Sequence, residues 1–181
     1  GTVGSAPGCQ GMLIVDRALL DGAVEINSGA DRAIAQGGTQ YTFGDSANNV
    51  FTGQVEDMRS LFRQSAFNSD IGYWDTGNVT SMILMFFRAN AFNQDIGGWD
   101  TGNVRFMISL FFHANAFNQD IGSWDTGNVT RMQNIFAQAG GFKQDLSGWC
   151  VTGVTSKPIG FDTDSGLEGQ TALHPNWGTC P

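Results

Sequence analysis

Histidine is nearly absent from this chain, and the two present, His113 and His174, lie in different sequence contexts. No Ser-His-Asp arrangement, glycine-rich phosphate loop or zinc-ligand spacing accompanies them, so the sequence predicts no enzyme. Lysine and arginine number nine in 181 residues, nowhere clustered, against 17 acids and a net charge of −8. A chain with no basic patch cannot neutralise phosphates, which excludes nucleic acid as a partner. No run of 18 apolar residues exists, so no membrane insertion is expected. The apolar stretch Met12 to Val15 is too short for a signal peptide, and the sequence reads as a mature fragment whose targeting signal lies elsewhere. Charged residues make up only 14%, while glycine supplies 25 residues, which suits many tight turns and little helical surface.

Cysteine is also scarce: Cys9, Cys150 and Cys180. An odd count leaves one over if two pair. Cys150 and Cys180 flank a segment whose composition differs from what precedes it. They are expected to form a disulfide closing a C-terminal cap, with Cys9 free, and that pairing implies an oxidising compartment. The alternative is three unpaired buried thiols.

What the sequence does have is a repeat. Trp74, Trp99, Trp124 and Trp149 are spaced by 25, as are Asp70, Asp95, Asp120 and Asp145, and Phe67, Phe92, Phe117 and Phe142. The phrase AFNQDIGGWDTGNV begins at Ala91 and AFNQDIGSWDTGNV at Ala116, with drifted copies at Ala66 and Gly141. Upstream, Val55, Met58, Leu61 and Phe62 echo Val79, Met82, Met85 and Phe86 at an offset of 24. Decayed terminal copies are what a stack of repeats needs to close its open ends.

Within a copy, Val79, Met82, Met85, Phe86 and Ala89 recur at helical spacing after the N-cap types Asp75, Thr76 and Asn78, which predicts a short helix over 79–88. An extended segment over 93–99 is expected next, with Phe92, Ile96 and Trp99 pointing inward and neighbouring copies paired in a parallel ladder. The fold expected is therefore α/β: a leucine-rich-repeat-like solenoid of about four 25-residue coils, each a short parallel strand plus a helix. It would form a single domain, with residues 1–50 as an irregular N-terminal cap, 51–150 as repeats and 151–181 as an irregular C-terminal cap. In the N-terminal part, residues 18–22 read as a helix end or turn and 40–43 as a strand.

The phrase FNQDIGxWDTGNVTxM resembles the repeat of BspA-like leucine-rich-repeat surface proteins of bacteria, over about Val50 to Val154. The ending, WCVTGV through PNWGTCP, resembles their cap, which supports the Cys150–Cys180 pairing. The layout as a whole is similar to the calcium-dependent peptide-binding domain of RTX adhesins. That resemblance implies an extracellular, cell-surface module within a larger multidomain adhesin, gripping the C-termini of host surface proteins.

Several residue sets could carry such binding. Asp70, Asp95, Asp120 and Asp145 would stand on stacked coils about 4.8 Å apart, where repelling carboxylates favour a cation. Asn93 and Asn118 share their face, and oxygen-only donors suit Ca2+. The competing reading is architectural, with each Asp capping a turn. Gly97 and Gly122, with Gly72, would leave a groove for a peptide backbone, or merely relieve a bulge. Tyr73 and Ser123 occupy the variable position beside them. Arg63, Arg88, His113 and Gln138 read as a solvated face, with Phe87 and Phe112 beside them either in a broad helical core stripe, the favoured reading, or half-exposed and able to contact a neighbouring domain. The N-terminal Asp16, Asp21, Glu25 and Asp45 could add metal ligands. The function expected is a calcium-dependent peptide-binding adhesin module, the ligand-binding residues being Tyr73, Asp95, Gly97, Asp120, Gly122 and Ser123. The alternatives are a carbohydrate-binding adhesin module or a structural spacer.

Overall fold

Aromatic rings that recur once per repeat can stack face to face only if successive copies of the backbone lie about one strand spacing apart. The computed structural model, which describes residues 13–26, 31–36, 39–43 and 50–181, shows that arrangement. Phe62, Phe86, Phe111 and Phe136 form one column, with ring centroids 5.4, 5.5 and 5.9 Å apart. Phe67, Phe92, Phe117 and Phe142 form a second, at 6.3, 5.9 and 5.7 Å. The columns touch inside each coil at 4.0–4.1 Å. Trp99, Trp124 and Trp149 stack as a third column at 6.5 Å. All these rings are buried, as are Met58, Met82, Met107 and Met132.

This spacing overturns the expected α/β solenoid. Packed helices stand about 8–10 Å apart, which rings on adjacent coils at 5.4–5.9 Å do not allow. Residues 52–150 hold no helix and no strand longer than a single bridge, and the 79–88 segment is a chain of turns. The N–H groups of Met82, Leu84, Phe86 and Arg88 donate to the next coil, at the carbonyls of Phe106, Ile108, Leu110 and Phe112. Those of Met85, Phe87 and Ala89 donate three residues back, to Met82, Leu84 and Phe86. The apolar spacing that suggested a helix is equally the period of these linked turns. The same alternation runs through residues 58–65 and 107–114. Single parallel bridges join Asp57, Ser81, Phe106 and Arg131 across four coils.

The turns require left-handed backbone at Ser60, Leu84, Ser109 and Asn134, and again at Gln64, Arg88, His113 and Gln138, with φ from 52° to 60°. None is glycine, and each costs about 1–2 kcal/mol. Two such residues per coil are outweighed by the burial of two phenylalanines and a tryptophan, at about 1.5–3 kcal/mol for each phenylalanine alone.

The expected extended ladder over 93–99 is also replaced. Asn68, Asn93 and Asn118 accept through Oδ1 from the backbone N–H groups of Asn93, Asn118 and Lys143, so amide side chains do the work of strand pairing. The inward placement of Phe92, Ile96 and Trp99 is seen, at 4% exposure or less. Trp99, Trp124 and Trp149 each donate their indole N–H to the preceding coil, at Ile71, Ile96 and Ile121.

Both ends of the stack are closed by rings turned on edge. The N-terminal part holds strand β1 (Leu13–Ile14), helix α1 (Arg17–Asp21), and an antiparallel sheet of β2 (Val24–Ile26), β3 (Asp31–Gln36) and β4 (Thr39–Thr42). Strand β5 (Val50–Phe51) pairs in parallel with β1. Phe43, just after β4, meets Phe62, Phe67 and Trp74 edge-on. At the other end Phe161 meets Phe136 at 86°, and Trp177 meets Phe161 at 83°. The buried Asp162 carboxylate ties this cap together, bound by Lys157 at 2.6 Å and His174 at 3.0 Å. Cys150 and Cys180 form a disulfide, which closes a 30-residue loop and stabilises by about 3–4 kcal/mol in the chain-entropy view. Cys9 lies outside the described residues.

The central column sets the stability. Phe111→Ala is expected to cost about 3–5 kcal/mol, measured by denaturant unfolding. Gln138→Gly, at an exposed left-handed position, is expected to be neutral or stabilising by up to about 1 kcal/mol. An equal loss at both sites would contradict this account.

Candidate functional site

Two walls of the stack face each other through the aromatic core, since Phe86 packs on both Phe92 and Trp99. One wall consists of the turn chains over 56–64, 80–88, 105–113 and 130–138. The other carries the repeated aspartates.

On the aspartate wall, every residue of the first row has a local partner. Asp70, Asp95, Asp120 and Asp145 accept through Oδ1 from the backbone N–H groups of Gly72, Gly97, Gly122 and Ser147, at 2.8–2.9 Å. Asp75, Asp100 and Asp125 do the same for Gly77, Gly102 and Gly127. These are Asx turns rather than helix caps. Thr76, Thr101 and Thr126 are buried and donate to the following coil, while Asn78, Asn103 and Asn128 donate back to the preceding one. The residue types that suggested N-caps are thus joints between coils. Cys150 stands where the second row would place its fourth aspartate.

All seven aspartates are exposed, and none is ion-paired among the described residues. Asp100 and Asp125, on adjacent coils, flank Gly102. A Cβ placed on Gly102 would lie 3.3 Å from Asp100 Oδ1 and 3.4 Å from Asp125 Oδ2. No group of three or more His, Cys, Asp or Glu converges as a metal site among the described residues. Of the N-terminal acids, Asp16 caps α1 and Asp21 pairs with Arg17; the Glu25 side chain and Asp45 lie outside the described residues.

The glycine groove is filled by protein. A Cβ on Gly72, Gly97 or Gly122 would lie 2.7 Å from the backbone oxygen of Asp95, Asp120 or Asp145 on the next coil. The missing side chain admits the neighbouring coil. Gly98, by contrast, faces open space. The Tyr73 hydroxyl donates to the Phe43 carbonyl and secures the N-terminal cap. Ser123 Oγ lies 3.3 Å from the Gly97 carbonyl. Asp95, Gly97, Asp120, Gly122 and Ser123 therefore come together on adjacent coils, with Asn93 and Asn118 on the same wall, while Tyr73 is committed to the cap.

The turn-chain wall differs in kind. Ile83, Leu84, Phe87, Phe106, Ile108 and Phe112 are half-buried there, and none of them belongs to the core cluster. Phe87 and Phe112, expected in a core stripe, instead stack on each other outside it at 5.0 Å, with the Arg63 and Arg88 guanidiniums over Phe87 at 5.3 and 5.5 Å. Arg88, His113 and Gln138 hold equivalent positions, but their counterpart in the first coil is Gln64 rather than Arg63. A groove of about 460 Å³ runs across this wall, from Glu56, Asp57 and Arg59 over Ser81, Ile83, Phe106 and Ile108 to Arg131. The doubled aromatics Phe86-Phe87 and Phe111-Phe112 were the available sequence signal, since only one of each pair can enter a core this thin.

Two outcomes follow. Gly97→Ala is expected to lower stability by about 1–3 kcal/mol, against less than about 0.5 kcal/mol for Gly98→Ala, by thermal melts. The pH dependence follows from Asp57 and Asp145. Burial pushes the Asp57 carboxyl up, but hydrogen bonds from Arg59 and the charges of Arg59 and Arg17 together bring it below the ordinary 3.8. The Ser147 backbone N–H, then its hydroxyl, lowers Asp145. Depressed values mean stability that is present above the unfolded value and lost as pH falls through the folded ones. The melting temperature should hold above about pH 5 and decline below about pH 4.

Residues 36–149, more than half of the chain, match a family model described as Mycoplasma protein of unknown function, DUF285. No curated protein and no solved structure matches the chain. The match covers the first-coil entry and every repeated aspartate and tryptophan, and the chain belongs to the DUF285 family.

Proposed function

We propose that this chain is a polypeptide-recognition module of a bacterial surface protein, working by binding and not by chemistry. The observation that carries the reading is the division of labour within each coil. The interior is a fixed aromatic stack, while the outward positions are free of core duty and recur once per coil, at about the spacing of neighbouring paired strands. A rigid surface ruled at about 4.8 Å suits an extended chain laid along or across it. The disulfide supports an oxidising, extracellular location, as does the resemblance of the repeat to BspA-like surface proteins. A place within a larger multidomain adhesin belongs to the same reading.

Calcium dependence belongs to the proposal in its finer form. Exposed carboxylate pairs on adjacent coils, such as Asp95 with Asp120 or Asp100 with Asp125, would share an ion from solution with the C-terminal carboxylate of a host protein. Without an ion, the seven aspartates repel an acidic chain end. A sugar ligand has less in its favour, because the four repeated tryptophans are buried and offer no face for stacking.

Calorimetric titration of short peptides, as free acids and as C-terminal amides, in calcium and then in chelator, tests this form. Binding that needs both calcium and the free carboxylate is the expected result. Calcium that raises the melting temperature with no peptide bound would leave a spacer as the better reading.

A further inference from the structure

Charge is segregated between the two walls. The turn-chain segments carry Arg59, Arg63, Arg88, Arg105 and Arg131 against two acids, Glu56 and Asp57; the opposite segments carry seven aspartates against Lys143. In an acidic protein, most of the arginine therefore lies on one side, around the six half-buried apolar residues that the core does not use. Of the five arginines, Arg59 alone is ion-paired among the described residues, to Asp57. Two polar atoms of this wall, Ser81 Oγ and Gln133 Oε1, are buried with no hydrogen-bond partner. Ser81 is only 8% exposed and lines the groove. Unsatisfied buried polar atoms are rare in native folds and ask for an explanation. Ser81 lies in the groove beside the apolar Ile83, Phe106 and Ile108.

We infer that the turn-chain wall is a docking surface for an extended, acidic polypeptide segment bearing aromatic or aliphatic side chains. Its apolar side chains would cover Ile83, Phe106, Ile108 and the stacked Phe87–Phe112 pair, and its carboxylates would meet Arg88, Arg105 and Arg131. Main-chain groups of the segment would supply partners to Ser81 and Gln133 with modest local movement. The groove volume lies within the range of sites that take a few residues. Like charges along the opposite wall would repel the same segment, so charge fixes which side is used. This inference rests on different residues from the calcium reading and needs neither an ion nor a free chain end.

The test uses two octapeptides, acetylated and amidated, one alternating Glu with Leu and Phe, the other with Lys in place of Glu. Binding to the whole chain is read by fluorescence anisotropy in EDTA. The acidic peptide should bind at least about tenfold more tightly than the basic one at low salt, and weaken as salt rises. Arg88→Glu with Arg105→Glu should reverse that preference, and Phe112→Ser should weaken binding while the thermal melt stays cooperative. Equal binding of the two peptides, no binding of either, or indifference to the arginine reversals would overturn the proposal. So would sedimentation showing a dimer that Phe112→Ser dissolves, which would give the wall to a second copy. Because chelator is present throughout and no carboxy terminus is free, success or failure here is separate from that of the calcium-dependent site.

Discussion

Everything in this molecule follows from rings on successive coils standing 5.4–6.5 Å apart. That distance fixes the coil rise near the spacing of paired strands, and the coil rise decides what backbone can be used. Helices are too wide, and the demand that Phe86, Phe92 and Trp99 all reach one thin core breaks up long strands. The chain resolves the conflict with linked turns that alternate local and inter-coil hydrogen bonds. The cost appears as left-handed backbone at non-glycine residues, and ring burial exceeds it.

The same constraint assigns the polar residues. At so close a spacing, many donors find their acceptors on the adjacent coil, and small polar side chains make recurrent joints there. Asn93, Thr101 and Asn103 each serve as joints. Asp95 and Asp120 hold their own turns first, so any ligand they bind is met by the oxygens left over. The aspartate wall is thus built from residues already committed on one side, and it is stiff for that reason. The turn-chain wall has the opposite character: its half-buried apolar side chains lie outside the core cluster, and its five arginines outnumber its two acids, Glu56 and Asp57.

Repeat length, copy number, the buried faces of Phe92, Ile96 and Trp99, and the Cys150–Cys180 bridge could be read in the residues, because periodicity and burial are local in sequence. Helix against turn chain could not. The spacing of Val79, Met82, Met85 and Phe86 serves both, and the choice depends on the distance to the next coil. The roles of Gly97 and Tyr73 were illegible for a related reason. One depends on the Asp120 carbonyl and the other on Phe43, partners 23 and 30 residues away. The acidic rows were found correctly as rows, while their hydrogen bonds to the residue two positions on were visible only as one of two readings. In the turn-chain wall, Phe87 and Phe112 were noticed but given to the core, because a helix would have had room for them there.

The edge-on rings at the two ends have an evolutionary consequence. Phe43 and Phe161 each present a ring edge where another coil would need a face, so the finished stack cannot grow by joining a second molecule end to end. It can grow from within. Copying one 25-residue unit between two existing ones leaves both terminal contacts untouched and restores every inter-coil bond in register. Copy number is then a heritable dial: each added or lost unit lengthens or shortens both outer walls by one increment, without a new fold having to be found.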